Sequence, residues 1–268
     1  MAILEPFALG IGLLLSYVYD YTTSYGYSIV ILTIIINVII FPLTLRQTRS
    51  TKRMQDAQSD IKKLQKQHKD NKEELNKAMA AMYKEKGINP LGCILPLLVQ
   101  MPIWFALFRV LQNPQRFIPD SSNLSNSLSV STNLKFFNMD LQISPSEVLE
   151  WVERIPYLVL ILLVVVTALY QTTQIQKKSN KNDNPQAQQM QMIGKVMPIF
   201  FGFISWTLPT GLVVYFLTGN IFRIGQQALI VKLDDKETNK KVDILDIENK
   251  LIINLSKIFE FKFLDNEI

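Results

Sequence analysis

Residues Gly26–Leu45 read GYSIVILTIIINVIIFPLTL, twenty residues without a formal charge. A helix rising about 1.5 Å per residue needs about twenty apolar residues to cross a hydrocarbon core about 30 Å thick. This stretch has that length, but it is not uniformly apolar. Thr33, Asn37 and Thr44 recur at i, i+4 and i+11, which at about 100° per residue puts all three on one side of a helix. Arg46 then opens a charged segment with no proline or glycine before Gly87. A span with a polar stripe, feeding a long charged helical arm, is the plan around which the rest of the chain is placed.

The composition agrees with a membrane protein: 48% of the 268 residues are hydrophobic and the mean hydropathy is +0.15. Further apolar runs lie at Leu91–Leu111, Pro156–Tyr170, Val196–Leu208 and Gly211–Ile230. The third and fourth spans are short, so flanking residues extend them or the bilayer thins around them. The expected fold is an all-α polytopic bundle of five spans. Residues 1–25 form an outer interfacial helix, 26–46 the first span and 47–86 a cytoplasmic helical hairpin. Residues 87–112 form the second span, 113–155 an outer loop with a short helix, 156–173 the third span and 174–195 a cytoplasmic loop. The fourth and fifth spans are 196–208 and 211–231, and 232–268 is a cytoplasmic tail.

Lysine and arginine set the expected orientation. Twelve of them lie between Arg46 and Lys86, and the 174–195 connection has Lys177, Lys178, Lys181 and Lys195 against Asp183 alone. The 113–155 connection has only Arg116, Lys135 and Arg154, with five acidic residues. The positive-inside rule places the arm, the second loop and the tail in the cytoplasm and the N-terminus outside. Residues 1–25 have no basic n-region, so they do not read as a signal peptide. Phe7–Tyr19 is too short to span comfortably and is expected to lie in the interface, with Tyr17, Tyr19, Tyr21, Tyr25 and Tyr27 at headgroup depth.

Met54, Ala57, Ile61 and Leu64, then Leu75, Ala78 or Met79, and Met82, recur at spacings of three and four. Two helices with facing narrow stripes, joined by a polar turn at Gln67–Lys72, make a hairpin. Pro96 and Pro102 kink the second span and require neighbouring helices to satisfy freed carbonyls. Arg109 snorkels at its outer end. Ser144–Arg154 (SPSEVLEWVER) reads as a short helix with Pro145 in its first turn. One histidine, His68, and one cysteine, Cys93, cannot build a four-ligand zinc site. No metal, cofactor or nucleic-acid substrate is expected.

Several stretches together resemble the YidC family of membrane protein insertases, which has mitochondrial and chloroplast relatives. They are Phe41-Pro42-Leu43-Thr44 with Gln47 and Ser50, Met54-Gln55, and Met82-Tyr83-Lys84 leading to Gly87-Ile88-Asn89-Pro90-Leu91-Gly92-Cys93. Leu95-Pro96, Gln100-Met101-Pro102, Met197-Pro198 and Pro209-Thr210-Gly211-Leu212 with Tyr215, Asn220 and Gln226-Gln227 complete the set. The resemblance covers roughly Ser24–Val231 and implies a polar groove open to cytoplasm and lipid and closed outside. Such a groove lowers the several-kcal/mol cost of bringing a hydrophilic segment into the bilayer. Implied partners are nascent membrane proteins, membrane lipids, the ribosome, targeting factors and the general secretory channel.

Where the family usually carries a basic groove residue, five positions before Pro42, this chain has Asn37. Phe216 stands where relatives often have Trp or Tyr, so the aromatic wall remains and a donor is lost. The candidate groove residues are Asn37, Thr33, Thr44, Gln100, Gln171, Tyr215 and Phe216, with Arg46 as an ordinary cytoplasmic flank. Two readings stand for the polar members. Thr33 and Thr44 either line the groove or bond their own helix's carbonyls. Gln100, Gln171 and Asn220 line it or tie helices together.

Three function classes were weighed. The first is an insertase and chaperone without covalent chemistry. The alternative is a small transporter or channel, against which stand the lack of an internal repeat and of any acidic residue within a span. An intramembrane protease lacks HExxH, an aspartate pair and a serine–histidine partnership.

Overall fold

The apolar stretch Gly26–Leu45 lies within one long helix, α2 (Tyr25–Asp56). In this computed structural model the described residues are 4–69, 71–88, 95–130, 134–176 and 196–233. Before α2 comes α1 (Glu5–Thr22); after it come α3 (Gln58–Gln67), α4 (Lys72–Glu85), α5 (Leu95–Gln112), α6 (Pro114–Phe117) and α7 (Asn123–Ser129). A two-stranded hairpin, β1 (Lys135–Phe136) and β2 (Met139–Asp140), precedes α8 (Trp151–Gln176). The chain ends its described part with α9 (Val196–Ser205) and α10 (210–233). It divides into two units, Met1–Arg223 and Ile224–Ile268; of the second, only 224–233 is described, as helix.

No break separates span from arm, contrary to the expected border at residue 46. α2, 32 residues long, passes through Pro42 and continues to Asp56, and the interruption falls at Ala57. A proline removes one helical hydrogen bond, but residues 43–56 contain no second breaker, and their Leu, Arg, Gln and Lys are good helix formers. Over Tyr25–Met54, α2 is long and apolar enough to cross a membrane, as is α8 over Trp151–Gln174. α9 is a shorter apolar helix.

α3 and α4 pack on a small apolar cluster of Ala57, Ile61, Met82 and Ile88, flanked by Met54, Leu64, Met79 and Tyr83. Asn71 Oδ1 caps α4 by accepting from Glu73 N and Glu74 N at 3.2 Å each. Gly87, at φ +59°, ends it: Ile88 N donates to Tyr83 O at 2.8 Å and Gly87 N to Lys84 O at 3.3 Å. That pairing is a Schellman C-cap, which needs a left-handed residue and favours glycine. It folds Ile88 back into the cluster.

The main core joins Ala8 and Leu15 of α1, Ile29 and Leu32 of α2, Leu107 and Val110 of α5, Val164 of α8, and Leu212 and Val213 of α10. Large apolar side chains also point outward, among them Ile39 at 68% and Phe203 at 75% exposure. An apolar exterior around an apolar core is the pattern lipid solvates.

The 113–155 segment is more ordered than expected. Of the helix predicted at Ser144–Arg154 only Trp151–Arg154 is helical, as the start of α8; 145–147 form a turn, and Pro156 lies inside α8. Glu147 Oε2 instead accepts from Ser144 N at 2.7 Å, and Ser146 N donates to Trp206 O at 3.1 Å. The Ser144 donor is therefore spent on a side chain of its own loop and the Ser146 donor on the α9–α10 turn, rather than on a helix. β1 and β2 pair Lys135 with Asp140 and Phe136 with Met139 across Phe137 and Asn138, both at positive φ. This is the backbone that two-residue hairpin turns adopt. The expectations for Cys93, for the Asn89–Leu91 turn, for the 177–195 loop and for the tail beyond Leu233 lie outside the described residues.

Candidate substrate groove

The polar stripe of α2 is satisfied within its own helix. Thr33 Oγ1 donates to Ile29 O at 2.6 Å, Asn37 Nδ2 to Thr33 O at 2.8 Å and Thr44 Oγ1 to Ile40 O at 3.2 Å. Thr33 is fully buried, Asn37 nearly so, and Thr44 is half-buried. Arg46 is exposed one turn beyond Pro42.

A second polar set lies between helices. Gln100 of α5 donates to the Tyr215 hydroxyl of α10, and Tyr215 is 2% exposed. Asn220 of α10 donates through Nδ2 to Val164 O and Thr167 Oγ1 of α8, both at 3.3 Å. Its Oδ1 accepts from Arg223 Nη2 at 2.9 Å. Arg223 is half-buried and within electrostatic range of Tyr215. No carboxylate contacts it among the described residues. A cation inside an apolar bundle without an anion is costly, which ordinarily marks such residues as functional.

The placement of that cation follows from packing. Gly211 opens α10 against Leu141 and Ile29: its N donates to Leu141 O at 2.9 Å, and a methyl there would lie 3.0 Å from Ile29 Cδ1. A side chain there would have to push the Ile29 tip and the Leu141 carbonyl by a few tenths of an ångström, so the close approach favours glycine. α2 and α10 both start at this loop layer, and the Arg223 guanidinium folds back over Gly219, where a methyl would lie 3.3 Å from Nη2. Gly219 is eight residues beyond Gly211, as Asn37 is beyond Ile29, about 12 Å along each helix. Counted along the chain, Gly219 beneath the guanidinium and Asn37 are equally far from the Gly211–Ile29 contact.

Phe216 forms an aromatic wall with Trp104 (centroids 6.3 Å apart, stacked) and Phe201 (5.7 Å, edge-on). Trp104 Nε1 is buried without a hydrogen-bond partner, so the wall keeps an N–H donor although Phe216 has none. Gln171 is half-buried on α8, and nearby Gln174 Oε1 is likewise buried and unpartnered. The α9–α10 turn is covered by the loop: Thr210 N and Oγ1 both donate to Ile143 O, at 2.9 and 2.7 Å. Arg154 stacks over Trp206 at 5.6 Å.

Of the predicted residues, the structure joins Gln100 to Tyr215 and sets Phe216 beside Trp104. It leaves Thr33, Asn37 and Thr44 bonded to their own helix. Arg223 and Trp104 were missed. Arg223 was visible as the one charge in Gly211–Ile230, three residues after Asn220; Trp104 carried no distinguishing signal.

Comparison with known proteins follows the same lines. The family model for the 60Kd inner membrane protein matches residues 17–238. The chain is 34% identical over 221 residues to the membrane protein insertase YidC of Pelobacter propionicus, covering 82% of this chain and 37% of that protein. It is 28% identical over 225 residues to the inner membrane protein ALBINO3 of Arabidopsis thaliana, covering 81% and 48%. It thus spans less than half the length of these relatives. A crystal structure of an active YidC insertase with its first transmembrane domain resolved superposes with a TM-score of 0.56 at 24% identity, over 84% of this chain and 45% of that one. By sequence and fold, this chain belongs to the YidC family, the 60Kd inner membrane proteins.

Proposed function

We propose that this chain is a membrane protein insertase and chaperone, a non-enzymatic device that helps nascent membrane proteins enter the bilayer. Five helices, α2, α5, α8, α9 and α10, serve as the spans, with the N-terminus outside and the α3–α4 hairpin and tail in the cytoplasm. The hairpin receives clients near the ribosome, targeting factors or the general secretory channel. A hydrophilic client segment enters a polar seam between α2, α5, α8 and α10 while its apolar segment slides into lipid.

The observation that carries this reading is Arg223, a half-buried cation without a carboxylate partner in an apolar bundle. Asn37 has no charge, but the guanidinium from α10 stands at about its depth and does electrostatic work there. Trp104 and Tyr215 add donors along the same seam, and Thr33 and Asn37 give it a polar α2 wall. The loop cover over the α9–α10 turn closes the outer end, so the groove opens inward and to lipid.

The test is insertion of a small one-span client into proteoliposomes holding the purified chain, against empty vesicles. The native chain inserts the client and Arg223→Gln loses most of the gain for acidic-tailed clients. Asn37→Leu loses less. Vesicles that insert nothing but pass a small solute would favour the transporter or channel reading instead.

A further inference from the structure

Beyond the groove, the end of α5 carries a second cationic site that the insertion reading does not use. A cavity of about 440 Å³ is lined by Arg109, Gln112, Asn113, Gln115, Arg116 and Phe117. Both guanidiniums lie on the one Phe117 ring, 5.4 Å (Arg109) and 5.7 Å (Arg116) from its centroid. Stacking on a shared aromatic holds two like charges close together and orients their N–H forks. Glu5 of α1 pairs with Arg116, and no carboxylate pairs with Arg109 among the described residues. The local sum is one positive charge, matching one phosphodiester, and the amides of Gln112, Asn113 and Gln115 offer further donors.

The surroundings point to a lipid rather than a soluble anion. α1 packs on α5 and α6, and its other face exposes Phe7 (55%), Leu13 (55%), Tyr17 (60%) and Tyr21 (74%). An apolar and tyrosine-rich face on a helix lying at the end of a span suits acyl chains and headgroups. The phosphate site sits beside the first turn of that helix.

We propose that Arg109 and Arg116, braced on Phe117, bind the headgroup phosphate of an anionic phospholipid and seat α1 on the membrane surface. The test is native mass spectrometry of the full chain in detergent, titrated with phosphatidylglycerol or phosphatidylcholine, with inorganic phosphate as competitor. Phosphatidylglycerol should bind more tightly than phosphatidylcholine, whose choline adds a positive charge. Arg109→Gln should weaken phosphatidylglycerol about tenfold, the value of one charge-assisted pair. Glu5→Gln, which releases Arg116, should bind it at least as tightly as the native chain; this arm stands even if Arg109→Gln folds poorly. Displacement of the lipid by equimolar phosphate would overturn the lipid assignment in favour of a free anion. Unchanged binding in Arg109→Gln, or weaker binding in Glu5→Gln, would overturn the site.

Discussion

The polar stripe of α2 and the polar seam of α10 hide similar groups in the same bundle by opposite means. Thr33, Asn37 and Thr44 each turn back to a carbonyl four residues earlier, so those donors are met inside one helix. Gln100, Tyr215, Asn220 and Arg223 reach between or along helices, and the arginine keeps donors to spare. A threonine hydroxyl is short enough to close on its own backbone; a guanidinium carries five donors and a permanent charge that one amide cannot neutralise. On the proposed reading, an incoming polar segment gains most at the seam and least at the stripe.

The sharpest way to break this comparison is Arg223→Leu, which removes the charge and leaves Asn220 Oδ1 without its donor. Insertion of an acidic-tailed client should fall about tenfold, equivalent to ~1.4 kcal/mol, while Asn37→Leu falls less; equal losses would erase the distinction. Gly211→Val probes the frame that levels the two helices. Forcing a side chain against Ile29 and Leu141 should cost ~1–3 kcal/mol, read as a lower melting temperature in detergent. Tyr215→Phe deletes one interhelical bond worth about 0.6 kcal/mol in membranes, a small shift in the same melt. Thr33→Val keeps shape and loses only the back-bond, so its change should stay within about 0.5 kcal/mol.

The hairpin offers a control outside the membrane. Lys86 pairs with Asp60, and Lys63 lies 3.6 Å from it; Lys86 first, then Lys63, hold the Asp60 carboxyl below its ordinary 3.8. A carboxylate with a lowered folded value stabilises fully above the ordinary value and loses that contribution as pH falls through the lowered one. Protection against hydrogen exchange in the α3–α4 hairpin, taken relative to the intrinsic amide rate at each pH, should therefore fall selectively in acid. Asp60→Asn should remove that extra sensitivity.

What the sequence made legible was what repeats along a helix. The uncharged length of Gly26–Leu45, the three-and-four spacing of Ala57, Ile61 and Leu64, and Gly87 as a stop all emerge from local chemistry. The helix start at Trp151 did not, because a tertiary contact outweighed the local signal: Ser146 serves Trp206. The seam was half legible. Gln100 and Tyr215 were singled out separately, but their pairing spans 115 positions, and no periodicity within one helix reports it. Arg223 stands out in the sequence only as a charge within an apolar run; its place beside Asn220 and Tyr215 is set by the bundle and not by a motif.

The most direct test moves the charge back across the groove. Arg223→Gln should cripple insertion of acidic-tailed clients in proteoliposomes, and adding Asn37→Arg to that variant should restore it, because on the proposed reading the two positions share a depth. Failure of the double variant to recover, with both proteins folded by circular dichroism, would contradict the account.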